Sequence, residues 1–124
     1  MLRALLCALL LPWFASARAE LFEKWERTDS ILLGTSLTTL AIDWGQTRDL
    51  ARRPQPPFTE ANPFLGKHPS VGRVDTYFTL VMAGTVGLSA VLPITYRRWF
   101  LGGLTVLETA VIIDNHHLGL RVRF

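Results

Sequence analysis

Two acids stand where charge is costly. Asp43 ends the uncharged stretch Ser30 to Ile42, and Glu108 interrupts the apolar run Trp99 to Ile113. A carboxylate at the centre of a membrane helix costs roughly 2.5–3.5 kcal/mol on insertion scales, so each needs a partner or a task. Asp43, Gln46 and Glu60 fall where they can share a membrane level with Asn115 and His116 at the end of the third apolar segment, while Glu108 lies close to mid-membrane. Two carboxyls with an amide and an imidazole are groups that relay protons or hold an ion. The expected arrangement is a protonated Glu108 hydrogen-bonded to Asp43 or to a nearby row of hydroxyls.

Other chemistry is poorly served. His116 and His117 are adjacent, so on a helix they face different sides and do not readily share one ion. The third histidine is His68, and no H-x-x-x-H, H-E-x-x-H or E-x-x-H pattern occurs. Histidines at the end of a helix complement its dipole instead. No G-x-S-x-G is present, Ser36 and Ser89 have no base in sequence reach, and Gly102-Gly103 sits in an apolar stretch rather than a phosphate loop. No metal and no cofactor is expected. Cys7 is the one cysteine, which excludes an intramolecular disulfide. Arg52-Arg53 and Arg121-x-Arg123 suit anchoring to anionic headgroups better than nucleic acid.

The elements that must position these groups follow from composition and pattern. The chain has 124 residues, 49% hydrophobic and 19% charged, with a net charge of +3. Mean hydropathy is +0.26. That balance excludes a disordered chain and points away from an ordinary soluble enzyme. Residues 1–19 read as a secretory signal peptide: Arg3, an apolar run Ala4 to Phe14, then Ala17-Arg18-Ala19 before Glu20. Residues 20–124 then form one all-α membrane domain with three transmembrane helices. The segments are Ser30–Trp44, with Thr28-Asp29-Ser30 as its cap; Val74–Leu92, capped by Ser70 and closed by Pro93; and Trp99–Ile113. The middle segment alone is apolar enough to insert without help.

Spacing gives these helices polar faces. Ser36, Thr39, Asp43 and Thr47 lie along one side of the first. Thr105, Glu108, Ile112, Asn115 and Gly119 share a side of the third. Hydroxyls and amides of this kind hydrogen-bond across membrane helices. The second helix has Ala83, Gly84 and Gly87 opposite its polar row, small residues that permit close helix approach. Ser36, Thr39, Thr47, Gly84 and Gly87 are therefore the expected packing positions.

Basic residues set the orientation. Arg48, Arg52, Arg53, Lys67, Arg73, Arg121 and Arg123 fall on one side, and Lys24, Arg27, Arg97 and Arg98 on the other. Seven against four places the long loop and the tail in the cytoplasm and the mature N-terminus in the periplasm of a bacterial inner membrane. The loop at 45–73 holds Pro54, Pro56, Pro57, Pro63 and Pro69, which excludes a regular helix. Asn62-Pro63 predicts a short capped turn through Phe64-Leu65, ended by Gly66. Phe58, Phe64 and Leu65 are candidates to enter the membrane interface. The tail Leu118 to Phe124 alternates apolar and polar residues and ends in Phe. That pattern fits a short strand, an extended peptide docked on a partner, or the last strand of an outer-membrane barrel. Continuous apolar runs in the second and third segments oppose the barrel.

The strings Asp43-Trp-Gly-Gln46-Thr47 and Glu60-Ala-Asn62-Pro63-Phe-Leu65-Gly66-Lys-His-Pro69-Ser70 resemble those of a group of small bacterial and phage integral membrane proteins. The likeness continues through Val74-Asp-x-Tyr77-Phe78, Leu92-Pro93, and Glu108 with Asn115 and Gly119. It implies a compact helical membrane fold in which the polar loop motif matters, and it supplies no activity. Three functions are consistent with these readings. The first is a non-catalytic accessory or scaffold subunit, with the bilayer and either a membrane-protein partner or a second copy as its partners. The second is an embedded acid/base site, a proton or ion path or a hydrolase-like centre built on Asp43 and Glu108. The third, suggested by the resemblance, is a phage-type membrane or lysis factor.

Overall fold

The structure is a computed structural model that describes residues 24–53 and 58–124. The signal peptide expected over 1–19 lies outside the described residues. Three helices account for most of those described: α1 (Arg27–Arg52), α2 (Val71–Val91) and α3 (Ile94–His117), with no strand among them. α1 packs against both α3 and α2, which touch each other much less.

Helix ends are set by caps and prolines. α1 starts a turn before the expected cap: Glu26 precedes it, and Asp29, three residues on, accepts the Glu26 amide at 2.9 Å. α1 also runs eight residues past Trp44. Nothing in Gly45 to Arg53 bars a helix, and Arg53 turns extended directly before Pro54. Ser70 caps α2 through Arg73 N–H at 3.2 Å, as expected. Pro93 ends α2 and also starts α3, with its carbonyl accepting Arg97 N–H at 2.8 Å. Arg97 and Arg98, expected in a loop, therefore belong to α3. Gly119, at φ +78°, follows the last turn of α3 in the left-handed conformation that a helix-ending glycine supplies.

α2 is long and apolar enough to cross a membrane; α1 and α3 do not pass that test alone. The wrapping of the bundle is unusual for a chain folded in water. Its buried hydrophobic residues are few: Leu40, Leu65, Val74 and Phe78 in one cluster, with Leu50, Leu101 and Leu120 apart. Buried beside them are Asp29, Ser36, Asp43, Gln46, Thr47, Asp49, Thr85, Ser89 and Arg97. The outside carries large apolar side chains instead, among them Leu80 (66% exposed), Trp99 (78%) and Val106 (72%). Apolar groups in water would gain by the opposite arrangement.

The tail after Gly119 is an extended peptide, and it docks on its own chain. Leu120 is buried, Arg121 N–H donates to Asp49 at 2.9 Å, and Arg123 N–H donates to the Gly45 carbonyl at 3.1 Å. Phe124 meets Trp44 edge-on at 5.7 Å. Gly45 makes this approach feasible, since a Cβ there would lie 2.5 Å from Val122 Cγ1. The barrel alternative does not fit the described residues, whose regular structure is all helical.

Candidate functional site

A cavity of about 400 Å³ opens between the helices and the 58–70 loop. Asp43 and Thr47 of α1, Glu60 and Asn62 of the loop, Tyr77 of α2 and Glu108 of α3 all line it, among apolar walls that include Leu40 and Phe78. Three separate parts of the chain thus each deliver one carboxyl. Asp43 is 8% exposed. It accepts from Asn115 Nδ2 at 2.9 Å and from the Thr47 hydroxyl at 3.3 Å. Glu108 lines the same cavity, and two neighbouring carboxyls can share a hydrogen bond only when one of them is protonated. The Glu108 Oε2 atom is buried and receives no protein donor.

Glu60 reaches the cavity because its loop is closed on itself. Glu60 N–H donates to the Lys67 carbonyl at 2.9 Å, and its carboxylate accepts Asn62 N–H at 2.9 Å. Asn62 Oδ1 then accepts Phe64 N–H at 3.0 Å, while the Asn62 carbonyl takes the Leu65 and Gly66 amides. Gly66 adopts φ +78°, where a side chain would be strained. The turn expected at Asn62-Pro63 is present and ends at Gly66. Leu65 is its buried anchor, whereas Phe64 is 76% exposed and Phe58 lies half-buried against Arg53.

The remaining candidates divide. Asn115 belongs to the site through Asp43. Gln46 is buried, but it donates to the Ile112 carbonyl at 3.3 Å and is not on the cavity wall. His116 is exposed beyond the cavity, as are His117 and His68. Arg48 does not reach Glu60; its guanidinium lies 3.5 Å from Asp75, whose other contact is Trp44 Nε1 at 2.8 Å. Ser36 pins α1 to α3 through the Leu101 carbonyl at 3.0 Å and Thr105 at 2.9 Å. Thr39 bonds back to its own helix. Gly84 and Gly87 face outward, with nothing within 4 Å of a Cβ at either position, so they pack against no helix among the described residues. Among the described residues, no three His, Cys, Asp or Glu side chains are grouped to hold a metal ion.

The chain matches no protein-family model, no curated protein and no solved structure. Its functional reading therefore rests on geometry.

Two ionic clusters were not anticipated from the sequence. At one end, Arg97 is fully buried with Asp29 at 3.4 Å. It also donates to the Ser89 and Leu92 carbonyls at the end of α2, and its guanidinium lies 4.5 Å from the Trp25 ring centre. Arg98 joins Asp29 at 3.1 Å and Glu26 at 2.6 Å. Burial alone would raise the Asp29 carboxyl, but the Glu26 amide and the two arginines outweigh it and hold it below the usual range. At the other end Asp49 is likewise buried. There Arg53, the Arg121 amide and Arg123 overcome desolvation and lower its carboxyl. The available sequence signal was the acid at the start of α1, facing arginines at the start of α3 in an up-down-up bundle.

Proposed function

We propose that the chain is a small three-helix integral membrane protein with a membrane-embedded acid/base site, in which Asp43 and Glu108 share and pass a proton on the wall of the cavity. The observation that carries this reading is the pairing of a polar interior with an apolar exterior. Ser36–Thr105, Asp43–Asn115 and Gln46–Ile112 hydrogen-bond across α1 and α3 in the interior, while Leu80, Val106 and Trp99 face outward. A bilayer is the solvent that favours such a fold, and buried polar partners are what allow α1 and α3 to span beside α2. A secretory signal peptide and a cytoplasmic tail complete this reading, with a bacterial inner membrane as the location.

The site then does what its groups can do. Glu60 lines the same cavity as Asp43 and Glu108, which gives three carboxyls in one cavity and a route for a proton or small cation between loop and bundle. No histidine lines the cavity and no hydroxyl there has a base of the hydrolase kind, so proton handling fits better than hydrolysis. The test is proton flux into vesicles containing the purified chain, with a trapped pH dye and an imposed potential. Flux above that of empty vesicles, abolished by Glu108→Gln in a protein of unchanged helicity, is expected. Flux no greater than in empty vesicles, or equal in wild type and Glu108→Gln, would refute it.

A second reading is favoured by one observation. Ala83, Gly84 and Gly87 leave an exposed strip of small residues on α2, suited to another transmembrane helix. In that reading the protein is an accessory subunit, and a stoichiometric membrane partner copurifies with it. Gly84→Leu removes that partner without unfolding the chain.

A further inference from the structure

The two ends of the bundle hold their cations differently. Where α1 starts and α3 starts, Arg97 and Arg98 are neutralised by Asp29 and Glu26, and Lys24 and Arg27 are exposed with no carboxylate partner among the described residues. At the opposite end, the close of α1, the start of α2, the loop and the tail come together. Arg53 pairs there with Asp49, Arg123 lies 3.5 Å from the same carboxylate, and Arg48 pairs with Asp75. Arg52, Lys67, Arg73 and Arg121 are exposed, and none has a carboxylate partner among the described residues. The guanidinium groups of Arg52 and Arg73 reach only backbone carbonyls, of Arg123 at 3.5 Å and Phe64 at 2.9 Å. Phe64 projects from the same end, largely uncovered.

We propose that this end is a docking surface for anionic lipid headgroups, with Arg52, Lys67, Arg73 and Arg121 facing the phosphates and Phe64 entering the interface. The proposal rests on the membrane reading. Charge complementarity carries it: Asp49 and Asp75 are occupied by other arginines, and the four exposed cations outnumber the exposed Asp114 at this end, beside an apolar ring. Cations next to an anionic leaflet each contribute about 1 kcal/mol, a factor of about five in preference.

The test is native mass spectrometry of the full chain released from mixed micelles of phosphatidylcholine and phosphatidylglycerol, together with an alkaline carbonate wash of the source membranes. Retained phosphatidylglycerol over phosphatidylcholine is expected, weakening as salt rises. Combined Lys67→Ala, Arg73→Ala and Arg121→Ala should reduce the preference on the order of a hundredfold. Charge-keeping Lys67→Arg with Arg121→Lys should retain it, and Arg27→Ala at the other end should leave it unchanged. Equal retention of both lipids, or an undiminished preference in the triple variant with unchanged helicity, overturns the proposal while leaving the membrane reading standing. Loss of the chain from membranes in carbonate overturns both. Binding of duplex DNA without headgroup preference overturns it in favour of nucleic acid.

Discussion

Removing the Asp29 carboxylate is the sharpest test of how α1 and α3 are joined. Asp29→Ala removes the carboxylate that the fully buried Arg97 meets at 3.4 Å. Breaking one side of a buried pair typically costs about 3–5 kcal/mol, because the remaining charge is left desolvated. Arg97 keeps the Ser89 and Leu92 carbonyls and the face of Trp25, and the cluster sits at the end of a thin bundle close to water. The lower end of that range, about 3 kcal/mol, is therefore expected. Asp29→Leu combined with Arg97→Met should recover most of the loss, since neither charge then remains. The assay is denaturant unfolding in detergent micelles, followed by tryptophan fluorescence. A loss under about 1 kcal/mol for Asp29→Ala, the value of an exposed pair, would refute the buried-pair reasoning. pH gives a second check. Asp29 and Asp49 are both held below the ordinary carboxyl value. The unfolded chain therefore binds these protons more readily, so their contribution is full above about pH 4 and is lost as pH falls through the lower folded values. Asp29→Asn should flatten the acid limb of the stability profile.

Three further predictions follow from single contacts. Gly45→Ala places a Cβ 2.5 Å from Val122 Cγ1 and 3.2 Å from Val122 Cα. The tail must shift, at about 1–3 kcal/mol, and carboxypeptidase should release Phe124 faster. Ser36→Ala removes a hydroxyl shared between Leu101 and Thr105 and should lower stability by about 0.6 kcal/mol, the mean for such bonds between membrane helices. Asn62→Ala frees the Phe64 amide, at about 1 kcal/mol by analogy with a helix cap. Hydrogen exchange across 60–67 should rise while that of α1 stays unchanged.

Local features were legible in the sequence because local physics decides them. Ser70 as a cap, Pro93 as a break, and the Asn62-Pro63 turn ended by Gly66 each depend on residues within a few positions of one another. The face shared by Ser36 and Asp43 was readable from helical spacing, and so was that of Thr105, Glu108 and Asn115. Boundaries fared worse where polarity was taken as a stop: α1 continues because Gln46 and Asp49 find partners on other elements, and Thr47 bonds back to Asp43 of its own helix. Gly84 and Gly87 were legible as a small-residue face, but not as a face that stays outward.

By itself the sequence determined the all-helical character, the break at Pro93 and two carboxyls, Asp43 and Glu108, that required partners. These follow from backbone sterics and from the cost of burying charge. Only the tertiary structure decided which partners they found. It put Glu60 on the same cavity as Asp43 and Glu108, left His116 outside it, buried Arg97 against Asp29, and folded the tail back onto Gly45. Each of these contacts joins residues far apart in the chain, and side-chain spacing within one helix does not determine which distant element packs against it.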